Sequence, residues 1–144
     1  MSKENTIFFS ITKEKVMTHK ILLAEDDIQL IDMYRRKFEL EDFEVYVAEN
    51  GQEAIDQFKT FTPDLVLLDI MMPKVSGMEV LRYIRQESKN KDALVVILTN
   101  LGNEATAEEI YKLGATDYIM KADMTPLDVT NKIKEILTIY KKGA

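Results

Sequence analysis

Between Lys20 and Met120 the chain contains five short apolar runs: "KILLA" (20–24), "FEVYVA" (43–48), "DLVLL" (64–68), "ALVVIL" (93–98) and "TDYIM" (116–120). Runs this short, rich in Val, Ile and Leu, suit strands buried on both faces and are too brief for buried helices. The stretches between them have helical period. In the first, Leu30, Met33, Tyr34 and Phe38 fall on one predicted face. In the last, Thr125 and Pro126 supply a cap and a first-turn proline, and Val129, Ile133, Ile136, Leu137 and Tyr140 form the stripe. Gly51 and Gly114 stand where the chain must turn sharply. Strands alternating with helices imply right-handed crossovers and a five-stranded parallel sheet, doubly wound, with the common strand order 2-1-3-4-5.

A sheet of this kind places its ligand site at the carboxyl ends of its strands, which selects few residues for scrutiny. After the first run comes Glu25-Asp26-Asp27, after the third Asp69, after the fourth Thr99-Asn100, and after the fifth Lys121. Three carboxylates crowded together repel, and buried carboxylates either take up a proton or find a cation. Oxygen ligands without His or Cys suit a hard ion such as Mg²⁺, with Mn²⁺ as the alternative. The expected ligands are Asp26, Asp69 and the main-chain carbonyl of Met71, with Glu25 acting through water. A ligating carboxylate beside such an ion can attack phosphorus and become an acyl phosphate. Asp69 is the expected phosphoacceptor. Thr99 would donate to one phosphoryl oxygen and Lys121 would pair with another.

The remaining composition narrows the partners. At 144 residues the chain suits one domain. Its 19 basic against 25 acidic residues give a net charge of -6, which disfavours direct contact with nucleic acid. The absence of cysteine removes disulfides and thiolate metal sites and fits a reducing cytoplasm. No run is long enough to insert in a membrane. In the first 19 residues, "IFFSI" is too short for a signal segment; an unstructured extension or an upstream start before Met17 is expected. The domain is expected over 20–140, with 141–144 as a tail.

The ordered segments "ILLAEDD" (21–27), "PDLVLLDIMMP..SG" (63–77), "VVILTN" (95–100) and "GATDYIMK" (114–121) resemble the receiver domain of two-component response regulators. The resemblance covers residues 20–140, and the set at these spacings is far more specific than any one segment. It implies a flavodoxin-like fold and phosphorylation of Asp69 by a phosphohistidine donor, which is a sensor histidine kinase or a histidine phosphotransfer protein. It implies Mg²⁺ at Glu25, Asp26 and Asp69, and a switch in which Thr99 moves toward the phosphoryl group while Tyr118 turns inward. A receiver catalyses its own phosphorylation and dephosphorylation and signals through its fourth helix, fifth strand and fifth helix. Tyr111, Tyr118 and Met124 would fall on that face, either as contact residues or as ordinary partly buried ones. The start of the first helix commonly docks onto the kinase, and Ile28 and Ile31 are the candidate docking residues here, or else cover the sheet edge.

Two positions depart from the family pattern. Ala122 replaces the proline that usually follows the active-site lysine, so the Lys121–Ala122 peptide is expected to be trans. Asn100 replaces a small residue beside the phosphoryl site. Met71 and Leu101 are expected to border the path of the attacking water; both are apolar, so slow self-dephosphorylation is expected. The chain ends at "IYKKGA" soon after the fifth helix, which suggests a stand-alone receiver acting on a downstream protein, as a monomer or a phosphorylation-dependent dimer. The competing reading is a pseudo-receiver that binds a protein without being phosphorylated. A dehalogenase-type hydrolase would need an acid where Met71 stands, and Glu25-Asp26-Asp27 would repel a flavin phosphate.

Overall fold

The computed structural model describes residues 18–100 and 106–141. Its strands are β1 (Lys20–Ala24), β2 (Glu44–Ala48), β3 (Leu65–Asp69), β4 (Leu94–Thr99) and β5 (Asp117–Met120). Its helices are α1 (Ile28–Leu40), α2 (Gly51–Phe61), α3 (Gly77–Gln86), α4 (Ala107–Lys112) and α5 (Pro126–Lys141), with a 3-10 turn over Lys121–Asp123. All pairings are parallel and the order is β2-β1-β3-β4-β5, as expected. The three inner strands are almost wholly buried. The edge strands depart from the expectation of burial on both faces: Val45, Tyr46 and Val47 of β2 are half-buried, as is Tyr118 of β5. An edge strand has a neighbour on one side only, and its helices cover it less completely.

Alternate side chains of each inner strand enter opposite cores, as the two-residue period demands. Leu22, Val66, Leu68, Val95 and Ile97 pack with Ala54, Phe58, Val80, Leu81, Ile84 and Ile110 of α2, α3 and α4. Ile21, Leu23, Leu65, Leu67, Val96 and Leu98 pack instead with α1 and α5. No helix among the described residues is long and apolar enough to cross a membrane.

The face of α1 differs from the expected stripe. Ile31, Tyr34 and Phe38 are buried, whereas Met33 is 46 % exposed. Each helical residue advances about 100°, so Ile31 lies nearer the Tyr34–Phe38 line than Met33 does. Ile31 is therefore a core residue and not a docking candidate, while Ile28, 71 % exposed, stays on the surface. The stripe of α5 holds through Val129, Ile133, Ile136 and Leu137 but fails at Tyr140, which is exposed. The last turn of α5 overhangs the amino ends of the strands. Tyr140 there lines a cavity with Thr62, Asp64 and Asn90 rather than entering the core. At the other end the expected cap is present: Asp128 N–H donates to Thr125 Oγ1 (3.1 Å) and Thr125 N–H to Asp128 Oδ2 (3.0 Å). Gly114, with φ of 100°, makes the turn into β5.

Candidate functional site

The three acids that follow β1 have three different placements. Glu25 is buried, and its Oε2 accepts from the N–H of Asp26 (3.0 Å) and Asp27 (3.1 Å). Asp27 turns away to cap α1, accepting from Gln29 N–H (2.9 Å) and Leu30 N–H (3.3 Å). Asp26 is exposed and joins Glu25 and Asp69 in a cluster whose carboxylate oxygens lie within 4.8 Å of one another.

Asp69 ends β3 and is only 4 % exposed. Its carboxyl is pushed up to about 7, first by burial and then by the Glu25 charge, against the pull of Lys121. Lys121 follows β5 and reaches back across the sheet end. Its Nζ lies 2.8 Å from Glu25 Oε1 and 3.3 Å from Asp69 Oδ1. Burial alone would depress this ammonium, but hydrogen bonds and charge contacts with Glu25 and Asp69 outweigh it and raise the group. One ammonium thus pairs with two of the three clustered carboxylates and leaves Asp26 outside those ion pairs. Glu25 Oε1 has no well-aligned hydrogen bond beyond that ion pair. An all-oxygen, electron-rich cluster with an under-satisfied buried oxygen fits a hard divalent cation.

Thr99 is fully buried at the end of β4, the strand between β3 and β5. Asn100 beside it is exposed. Met71 N–H donates to Asp69 Oδ1 at 3.3 Å, which keeps the Met71 main chain against the cluster while the residue as a whole is 60 % exposed. Leu101 lies outside the described residues. The described chain has no cis peptide, so Lys121–Ala122 is trans as expected.

Tyr118 is half-buried on β5, and its ring meets Tyr111 of α4 edge-on at 5.7 Å. Tyr111 is 47 % exposed and its hydroxyl donates to Asp117 Oδ1 (3.0 Å). Asp117 Oδ2 in turn pairs with Lys132 of α5 at 3.2 Å. The Tyr111 phenol is pushed up to about 12 by burial and then by that hydrogen bond. Met124 is half-buried against the α1–α5 core.

Gly77 is a site residue the strand-end search overlooked. It opens α3, donates to Ile70 O (2.8 Å), and a Cβ there would stand 2.1 Å from the Asp69 carbonyl oxygen. Only a residue without a side chain lets α3 start so close to the end of β3. "SG" before a helical period was the available signal, and it marks a cap as readily as a close approach.

The response regulator receiver domain family matches residues 21–134. The chain is 36% identical over 118 residues to the transcriptional regulatory protein ResD of Bacillus subtilis, covering 82% of this chain and 48% of that protein. It is 39% identical over 103 residues to the transcriptional regulatory protein CpxR of Escherichia coli, covering 72% of this chain and 43% of the other. The chain thus spans about half the length of the curated relatives it matches. Among solved structures it is similar to the CheY-like response regulator receiver domain protein of Methanospirillum hungatei. That match has a TM-score of 0.79 and 27% identity, covering 89% of this chain and 100% of that one. The strand order, the acidic cluster with its lysine and the family match over residues 21–134 agree, and the chain belongs to the response regulator receiver domain family.

Proposed function

We propose that this receiver is a phosphorylation-switched signalling protein that takes a phosphoryl group from a phosphohistidine donor onto Asp69. The observation that carries the reading is the meeting of Glu25, Asp26, Asp69 and Lys121 at one end of the sheet. Asp69 Oδ attacks phosphorus, the P–N bond to the donor imidazole breaks, and its electron pair leaves with the nitrogen. Asp26, Asp69 and the Met71 carbonyl would hold Mg²⁺, with Glu25 acting through water and by orienting Lys121. When bound, the ion neutralises charge on the phosphoryl oxygens. Lys121 Nζ pairs with one phosphoryl oxygen, and the Thr99 hydroxyl donates to another after moving toward it. That movement opens space for Tyr118 to turn inward and alters the face built from α4, β5 and α5. The product is a changed surface for a downstream protein or the next phosphorelay member. Met71, apolar beside the cluster, orients no water, which favours slow hydrolysis.

Ile28 stands exposed at the start of α1, beside the cluster, as an apolar contact for the donor. The names of the relatives describe transcriptional regulation, but those proteins are about twice the length of the matched region. Transfer from an autophosphorylated histidine kinase tests the reading. Label is expected on the wild type, none on Asp69→Asn, and much less on Ile28→Glu, which keeps its reactivity toward acetyl phosphate. Label on Asp69→Asn equal to wild type would overturn the phosphoacceptor assignment.

A further inference from the structure

An open groove of about 530 Å³ adjoins the acidic cluster, with Asp26 on its wall beside Met71, Met72 and Met78. The three thioethers differ in access. Met72 is 9 % exposed and Met78 is partly covered, whereas Met71 is 60 % exposed, the most exposed methionine among the described residues. Met71 is also tied by its main-chain N–H to Asp69, so its side chain projects from the rim of the phosphoacceptor site. A thioether in that position is open to solvent oxidants, and any change in its polarity is felt where water must pass.

We propose that Met71 is a modification site, oxidised by peroxide to the sulfoxide, and that the sulfoxide shortens the life of the phosphoryl group on Asp69. The second half rests on the reading of Asp69 as phosphoacceptor. The sulfur lone pair attacks one oxygen of hydrogen peroxide and the O–O bond breaks. The departing hydroxide takes the remaining proton and leaves as water. Sulfur is oxidised, and the peroxide oxygens are reduced. The product replaces an apolar, polarizable group by a strongly hydrogen-bonding one that a reductase can restore. Hydrolysis of an acyl phosphate needs a water in line at phosphorus. An apolar Met71 holds no such water, whereas a sulfoxide oxygen accepts a hydrogen bond from one and keeps it at the rim. The receiver then loses its signal faster under oxidising conditions.

The test uses the full chain. Mild hydrogen peroxide followed by peptide mapping reads the first half, with Met71 expected to gain oxygen ahead of Met33, Met72 and Met78. Equal or slower oxidation at Met71 overturns it. Phosphoryl loss is then timed in oxidised and untreated protein labelled with acetyl phosphate. The oxidised protein is expected to lose label roughly three- to tenfold faster, a small part of what a positioned proton acceptor supplies. Methionine sulfoxide reductase is expected to reverse the change, Met71→Leu to make the lifetime insensitive to peroxide, and Met71→Gln to shorten it without oxidant. An unchanged lifetime in oxidised wild type, or an equal response in Met71→Leu, overturns the inference. If untreated protein takes no label at all, the phosphoacceptor reading falls and the lifetime half falls with it, while the peptide map still decides the oxidation half.

Discussion

Asp69 is held in a position that penalises its charge. Burial and the neighbouring Glu25 lift its carboxyl from 3.8 to about 7 despite Lys121. Between about pH 4 and about pH 7 the metal-free folded state would therefore keep a proton that the unfolded chain has released. Its contribution to stability is full below the unfolded value and is lost as pH rises through the folded one. Asp69→Asn removes both the charge and the titration. In magnesium-free buffer at about pH 8 this variant is expected to be more stable than wild type by roughly 1–3 kcal/mol, with the gap closing toward about pH 4. Denaturant titrations at the two pH values would check it, and parallel curves would contradict it. Mg²⁺ is expected to raise the melting temperature of wild type and to leave Asp69→Asn nearly unmoved, because the ion binds the folded cluster and not the unfolded chain.

At the scale of elements, the junction of β3 and α3 sets the position of Asp69. The β3–α3 loop must bring the first turn of α3 against the main chain at the strand end, and Gly77 makes that contact. Gly77→Ala places a methyl group 2.1 Å from the Asp69 carbonyl oxygen and 2.8 Å from Ile70 Cα. Both are backbone atoms of adjacent buried residues, one the last of β3 and the other directly after it, and they cannot yield separately. A loss of roughly 2–3 kcal/mol is expected in denaturant unfolding. Labelling by a small-molecule donor should fall as well, since relief of the clash moves Asp69. Wild-type stability in this variant would show that the junction relaxes elsewhere.

The elements differ in how far the sequence revealed them. β3 and β4 are plain because an inner parallel strand is apolar up to the polar residue that ends it, and the rule that ligands bind at strand ends points to Glu25, Asp26, Asp69, Thr99 and Lys121. The burial face of α1 was not plain, because Leu30, Ile31, Met33 and Tyr34 are all apolar or aromatic and period alone fits two overlapping stripes. The Gly77 contact and the reach of Arg85 were also hidden. Arg85 at the end of α3 donates to Gly114 O (2.7 Å) and Lys91 O (2.9 Å), joining two turns through tertiary contacts that no local pattern encodes.

For the whole molecule, the parallel sheet brings every strand's carboxyl end to one side, where α1 also begins with Ile28 exposed. Charge gathers there, and Lys121 connects it to β5, whose Asp117 joins Tyr111 of α4 to Lys132 of α5. The acidic end and the Asp117 contacts to α4 and α5 thus meet the two ends of one strand, β5, and on the function proposed above that strand is the link between phosphoryl group and signalling face. On that same proposal, Asp69 is the residue that reacts. Intact-mass spectrometry after incubation with Mg²⁺ and acetyl phosphate tests this most directly, with Asp69→Asn and a magnesium-free sample alongside. The expected result is a gain of one phosphoryl group in the wild type with Mg²⁺ and in neither control. An adduct of equal yield on Asp69→Asn, or none on the wild type together with no binding of beryllofluoride, would contradict it and point to a receiver fold that binds its partner without being phosphorylated.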